Sequence, residues 1–250
     1  MMNAISIKGV SKEFKVNNSP ALHFSNLVFK RDRKKGFLPL SDVSFDVKKG
    51  EKVAIIGRNG AGKSTLLRII ADIYHLDKGR VEVNGSLIFL DKLGNGLKGR
   101  LSLRENIYLV GGIFGLSKKE IQLLIDKILE FAGLTEYVDY RLFQLSSGMK
   151  SRITFSTTIH ILEYLDPDII LLDEVLSGGG GDAEYKAKNG AKVDEFMKGN
   201  KTILLVTHNL KHLEKLCDKV IWLDKGRIKK QGSPKSVISA YELSFKKKKK

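Results

Sequence analysis

One cysteine, Cys217, four prolines and one tryptophan are all that 250 residues contain of these types. A lone cysteine can neither close an intrachain disulfide nor build a cysteine-based zinc cluster, so a reducing compartment is expected. No apolar run approaches the roughly 20 residues that cross a bilayer. The opening Met1 to Val10 lacks the basic region and apolar core of a signal peptide. The chain is expected neither to span nor to cross a membrane by itself. Acidic residues are also in deficit, 28 against 44 basic ones, for a net charge of +16. Five positive charges form the terminal run Lys246 to Lys250, and Arg31, Arg33, Lys34 and Lys35 form a second cluster. A like-charge block reads first as a solvated tail; attraction to nucleic acid or anionic lipid is the alternative.

What is present is ordinary for a folded α/β chain: 42% hydrophobic residues, 29% charged residues and 24 glycines, a balance wrong for disorder or collagen. The length suits one large domain or a tightly coupled pair. Residues 4–9 and 42–48 read as strands, and residues 52–56 form an apolar run entering a glycine loop. A helix over 63–73 follows, with Leu66, Leu67, Ile69, Ile70 and Ile73 as its apolar face. Residues 80–90 look like two short strands around the turn pair Asn84-Gly85. Ser117 and Glu120 form a capping box for a helix whose apolar face is Ile121, Leu124, Ile125, Ile128 and Leu129. The continuous runs 169–172 and 202–207 have the pattern of parallel strands buried on both faces. A helix is expected between them over 182–197, weakened by Asn189-Gly190. The chain ends as a hairpin around Asp224, Lys225 and Gly226, then a helix opened by Ser233 and Pro234. No internal repeat is visible.

The segment Gly57-Arg58-Asn59-Gly60-Ala61-Gly62-Lys63-Ser64 fits the phosphate-loop pattern and lies between a predicted strand and a predicted helix. Glycines let backbone amides turn onto phosphate oxygens, and the helix presents its positive end. Lys63 reaches the β and γ phosphates and Ser64 can ligate magnesium. Asp173, directly after a buried run, is placed to meet that metal, and Glu174 to accept a hydrogen bond from the attacking water as general base. An acidic helix cap is the plainer alternative for the pair. His208 ends the second buried run, at the edge where ligands bind in open α/β sheets; it suits a γ-phosphate contact or an ordinary cap. His208 and His212 have zinc spacing, but no glutamate stands where such a site needs one.

With these in place, Leu145-Ser146-Ser147-Gly148-Met149 resembles the signature sequence of ABC-type ATPases, and the motifs stand in the family's order over almost the whole chain. The form of the signature is similar to that of the exporter subgroup for O-antigen, capsular and teichoic-acid polymers. Leu93 to Asn106 resembles that subgroup's glycine-rich segment and lacks the glutamine that most ABC ATPases place near Leu93. Asp173 to Ser177 and Gly181 to Tyr185 are also similar, although Gly178 to Gly181 makes the connection longer. Residues 17–40 form an insertion where the subgroup carries a short amphipathic helix; a surface hairpin is the alternative.

The resemblance implies an α/β fold over residues 1–250: a P-loop core with a mostly parallel sheet, an antiparallel β subdomain and a helical subdomain at about 95–160. It implies ATP and Mg2+ as cofactors. Phe14 would stack on adenine, unless it is a core residue, and Gly57 to Ser64 with Thr65 would hold the phosphates. Ser64 and Asp173 would serve the metal, and Glu174 and His208 would serve hydrolysis. Ser146, Ser147 and Gly148 would face the nucleotide of a second subunit. The implied assembly is a homodimer bound peripherally to a membrane permease dimer at the cytoplasmic face of the inner membrane. Its activity would be ATP hydrolysis coupled to export of a lipid-linked polysaccharide. An ABC transporter for another substrate is the nearer alternative. A nucleic-acid-associated P-loop ATPase is the remoter one, since it needs a basic groove with stacking aromatics and aromatics are only 8% of the chain.

Overall fold

A computed structural model describes residues 2–14, 36–91, 96–173, 183–210 and 213–246. They form two compact units, one from residues 1–84 and 217–250, the other from 85–216. Glu174, Gly178 to Gly181, His212, Leu93, most of the 17–40 insertion and the last four lysines lie outside the described residues.

In the first unit β1 (Asn3–Phe14) pairs antiparallel with β2 (Phe37–Lys48) on one side and β4 (Lys78–Val83) on the other. Val43, Phe45 and Val47 of β2 are buried and alternate with exposed residues, the pattern of a sheet with one wet face. The insertion expected over 17–40 is shorter than that at its end. Phe37 to Leu40 belong to β2, with Phe37 opposite Phe14 and Leu40 opposite Lys12. β3 (Lys52–Ile56) lies parallel to β8 (Lys219–Asp224), and β9 (Arg227–Gly232) returns antiparallel beside β8. Val53 to Ile56 are all buried. The expected hairpin is present, with Lys225 and Gly226 both at positive φ, 49° and 77°, as a tight primed turn requires.

α1 (Lys63–Ile70) buries Leu66, Leu67, Ile69 and Ile70. It stops short of the expected Ile73. Asp72 turns left-handed at φ 57°, Ile73 is 55% exposed, and the amides of Ile73 and Tyr74 both donate to the Arg68 carbonyl. The unit closes with α7 (Pro234–Lys246), which starts with proline at its first position as expected and buries Val237 and Ile238. Lys246, taken as the start of the tail, is its last residue. Cys217 is buried, and burial, with the charge of Asp218, pushes its thiol up to about 12.

In the second unit β5 (Leu87–Asp91), β6 (Ile169–Asp173) and β7 (Thr202–Val206) form parallel pairs, with β6 and β7 buried throughout. The Asn84-Gly85 hairpin is overturned: β4 pairs with β1, and β5 with β6. The Asn84 side chain donates to the Asn3 carbonyl. The Ser86 amide and hydroxyl donate to Asp168 at 2.8 Å each. A turn pair shows that the chain bends; longer contacts decide with which partner each strand pairs.

Between β5 and β6 run α2 (Leu103–Ile113), α3 (Lys118–Ala132) and α4 (Ser147–Leu165); α5 (Ala183–Lys198) lies between β6 and β7, and the single turn α6 (Leu213–Leu216) follows β7. Complete capping boxes open α2 at Ser102 and Glu105 and α3 at Ser117 and Glu120. Gly133 ends α3 in the left-handed conformation. Ile107, Ile125, Ile128 and Ile153 pack into one buried cluster, each worth roughly 1.5–3 kcal/mol by its burial.

Candidate functional site

The loop from Gly57 to Gly62 takes its shape from close contacts that exclude side chains. A Cβ on Gly57, at φ 156°, would fall 2.2 Å from the Leu223 carbonyl oxygen, and one on Gly62, at φ 100°, 2.3 Å from that of Pro39. The Ala61 amide donates to the Arg58 carbonyl and the Gly226 amide to the Ala61 carbonyl, both at 3.1 Å. Lys63 is only 6% exposed, and its Nζ donates to the carbonyls of Gly57 at 2.9 Å and Arg58 at 3.1 Å. Arg58, Asn59 and Gly60 are exposed, while Ser64 and Thr65 are half-buried in the first turn of α1. No acidic residue stands in that turn, so the positive helix end is left for an anion.

Phe14 is 37% exposed. Its ring meets Tyr74 edge-to-face at 5.5 Å, and Lys12 Nζ lies 5.4 Å from its centroid. Arg68 of α1 in turn lies 5.9 Å from the Tyr74 ring. The first unit therefore joins the aromatic ring to the helix that carries Lys63 and Ser64. Tyr74 and Arg68 escaped the reading of the sequence. Neither belongs to a motif, and only the left-handed turn at Asp72 brings the tyrosine back.

In the second unit Asp173 ends β6 and is 4% exposed. Its register partners are Asp91 on β5 and Val206 on β7. Paired residues of neighbouring parallel strands project to one face, with strands about 4.8 Å apart, so two carboxylates flank one another at the carboxyl end. His208 stands two residues beyond β7 and is exposed. Carboxylate and hydroxyl oxygens are the hard donors that Mg2+ takes. Among the described residues no group of three or more His, Cys, Asp or Glu side chains could hold a metal. Asp173 in this unit and Ser64 in the first each offer one such oxygen donor, of the kind Mg2+ takes beside phosphate and water.

Ser146 is the N-cap of α4, its hydroxyl accepting from the Met149 amide at 3.2 Å, and Ser147 and Gly148 form the first turn behind it. A cleft of about 400 Å³ opens beside this tip, lined by Ser146, Gly148, Met149, Arg152 and Tyr137 among others. Arg152, four residues after Gly148, lies 4.7 Å from the Tyr185 ring of α5, and Tyr185 Oη donates to the Arg152 carbonyl at 3.0 Å. Burial pushes the Tyr185 hydroxyl up to about 12. Arg152 was not singled out from the sequence, and Tyr185 only as the end of the segment Gly181 to Tyr185. The helical spacing from Gly148 was the available signal for Arg152.

The approach to that tip is laced from both sides. The Leu142 amide donates to Leu101 and the Phe143 amide to Gly99, while the Leu103 and Arg104 amides donate to Tyr140 and Val138. Asn106, fully buried, accepts from the Lys98 amide at 2.7 Å and donates to the carbonyls of Lys98, Leu101 and Ser102. The glycine-rich segment is thus fastened to the residues that lead into the signature.

The chain resembles known proteins over most of its length. Residues 40–177 match the family model described as "ABC transporter". An O-antigen export system ATP-binding protein RfbB of Klebsiella pneumoniae is 38% identical over 98% of this chain and 100% of its own length. A teichoic acids export ATP-binding protein TagH of Bacillus cereus is 35% identical over 98% of this chain and 44% of its own. Among solved structures, the ATP-binding cassette MJ0796, a dimer in a post-hydrolysis state bound to ADP and Pi, matches with a TM-score of 0.68. It shares 22% identity over 92% of this chain and 98% of that one. Among the described residues no helix is long and apolar enough to cross a membrane. The loop at Gly57 to Ser64, the aspartate ending β6 and the serine-capped α4 thus stand in a chain that belongs to the ABC transporter family.

Proposed function

We propose that this chain is the ATP-hydrolysing subunit of an exporter of lipid-linked polysaccharide, acting as a homodimer on a separate membrane permease at the cytoplasmic face of the membrane. The observation that carries the ATPase reading is the loop whose Lys63 is held by the carbonyls of Gly57 and Arg58, with the anion-ready start of α1 beside it. The substrate class rests on full-length likeness to a protein named for O-antigen export.

In this reading the amides of residues 60–65 and Lys63 grip the triphosphate, and Phe14 offers its face to the adenine. Mg2+, held by Ser64 and Asp173, would draw charge from the β and γ phosphates. Glu174 takes the proton of the attacking water and His208 orients the γ-phosphate. The tip of α4, with Ser146 and Gly148, closes on the nucleotide of the partner subunit, so each site is completed by a second copy. Closure is favoured because ATP binds the closed pair better than the open one. Opening follows when hydrolysis removes the γ-phosphate.

Two measurements test this. Glu174→Gln should keep ATP binding, lose turnover and accumulate dimers at saturating ATP; monomers alone under those conditions would overturn the shared-site mechanism. Purification of the chain with its permease should bring a bound glycolipid, identified by mass spectrometry. A permease carrying a peptide or small metabolite instead would overturn the substrate class.

A further inference from the structure

Arg58 stands inside the phosphate loop, yet its side chain is engaged by the last turn of α7. Its guanidinium carbon lies 5.5 Å from the centre of the Phe245 ring. Phe245 meets Tyr241 edge-to-face at 4.9 Å, and Tyr241 meets Trp222 of β8 at 5.3 Å in the same manner. Trp222 is 6% exposed, and Lys229 Nζ lies 4.5 Å from the centre of its ring. All these residues belong to the first unit. A row of rings therefore runs from a core strand through α7 to the loop.

The main chain of Arg58 carries a carbonyl that accepts from Lys63 Nζ at 3.1 Å and from the Ala61 amide at 3.1 Å. A guanidinium held on a ring restricts the peptide that bears this carbonyl, and so restricts the anchor of Lys63. It also commits one cation of the loop to a π face. We propose that Phe245 is a positioning residue for the nucleotide site. By taking the Arg58 side chain on its ring, it holds the phosphate loop in the shape that receives a nucleoside triphosphate. This rests on the proposed ATP-binding role of the loop. Linkage makes the effect reciprocal: nucleotide on the loop must tighten the seat of α7.

Trp222, the one tryptophan of the chain, stands at the inner end of the row and reports on it. The test uses the full chain, titrated with ATP and Mg2+, with affinity read by calorimetry and Trp222 emission read in parallel. Phe245→Leu keeps an apolar side chain and removes the π face; Phe245→Tyr keeps the face. An exposed cation–π contact supports about a two- to fivefold effect. Phe245→Leu should weaken ATP binding by that factor and blunt the change in emission, and Phe245→Tyr should restore both. In an Arg58→Gln background the leucine substitution should cost nothing further, because no cation remains to be held.

An equal loss in the Arg58→Gln background would show that Phe245 acts only through helix packing, and would overturn the inference. So would a wild-type affinity and emission response in Phe245→Leu, with the nucleotide-site reading left standing. A wild-type chain that binds no ATP would overturn that reading and this inference together. Phe245 is 40% exposed, so its replacement leaves the core intact, and thermal unfolding without nucleotide checks this for each variant.

Discussion

Lys63 Nζ donates to the carbonyl oxygen of Gly57 at 2.9 Å, six residues back along the loop. The lysine is thereby anchored where its loop begins, and the carbonyls that hold it are those a phosphate would compete with. Lys63→Ala removes charge-assisted hydrogen bonds worth about 1.5–3 kcal/mol. Its ATP affinity should fall roughly ten- to hundredfold by calorimetry. Lys63→Arg should not rescue it, because a planar fork cannot replace a compact ammonium in a position only 6% exposed.

Gly111 and Gly112 are neighbours in α2 with opposite surroundings. A Cβ on Gly112 meets nothing within 4 Å, while one on Gly111 would lie 2.6 Å from Ile121 Cγ1 and 2.8 Å from its Cδ1. Gly112→Ala should stabilise the chain by about 0.5–1 kcal/mol, the helical gain of alanine over glycine. Gly111→Ala should destabilise it by about 1–3 kcal/mol through overpacking. Urea midpoints that shift in the same direction for both would contradict this account of the α2–α3 contact.

The parts of this fold that were legible in the sequence are those whose physical requirement is local. A loop position where a Cβ would fall 2.2 Å from a carbonyl oxygen announces itself as glycine at 57, and the capping box at Ser117 needs only residues within one turn. What escaped depends on distant partners. Nothing in Asn84-Gly85 tells that β4 pairs with β1 and β5 with β6. Nothing near Ile73 shows that the chain leaves the helix at Asp72. Arg152 and Phe245 each touch a segment far along the chain, Tyr185 and Arg58 respectively, so their contacts emerge only from the folded arrangement.

His160 gives the fold a sensitivity to acid. Its Nδ1 lies 2.7 Å from the Ser156 carbonyl, its ring meets Phe131 at 5.1 Å, and the Ser156 hydroxyl donates to Ile128 at 2.6 Å. Burial lowers its pKa from the ordinary 6.5; the Ser156 bond and Glu163 oppose this, while Lys127 and Lys192 add to it. The unfolded chain therefore takes up this proton at higher pH than the folded one. The contribution of the neutral ring is complete above about pH 6.5 and is lost as pH falls from there through the lowered folded value. Stability of the wild-type chain should drop between pH 7 and 5 more steeply than that of His160→Leu. Parallel urea midpoints across that range would remove His160 as the source.

Asn106 is the test of what fastens the glycine-rich segment to the signature. Its amide group satisfies three carbonyls and its oxygen one N–H, all within residues 98–102, and those residues are laced to the run leading into Ser146. Asn106→Ala takes the acceptor from the Lys98 amide and one donor from each of the carbonyls of Lys98, Leu101 and Ser102, which keep the amides of Leu101, Leu142 and residue 106. Asn106→Asp keeps the acceptor for Lys98 but turns a carboxylate toward three carbonyl oxygens in a fully buried position. An uncompensated buried charge costs more than a missing bond. Both should destabilise the chain, alanine by about 1–3 kcal/mol and aspartate by more, as read by urea unfolding at pH 7. Aspartate should regain part of its loss on acidification, because the protonated carboxyl becomes a donor to one carbonyl. An aspartate variant as stable as the alanine one at pH 7 would show that the carbonyl cage is not what holds the segment.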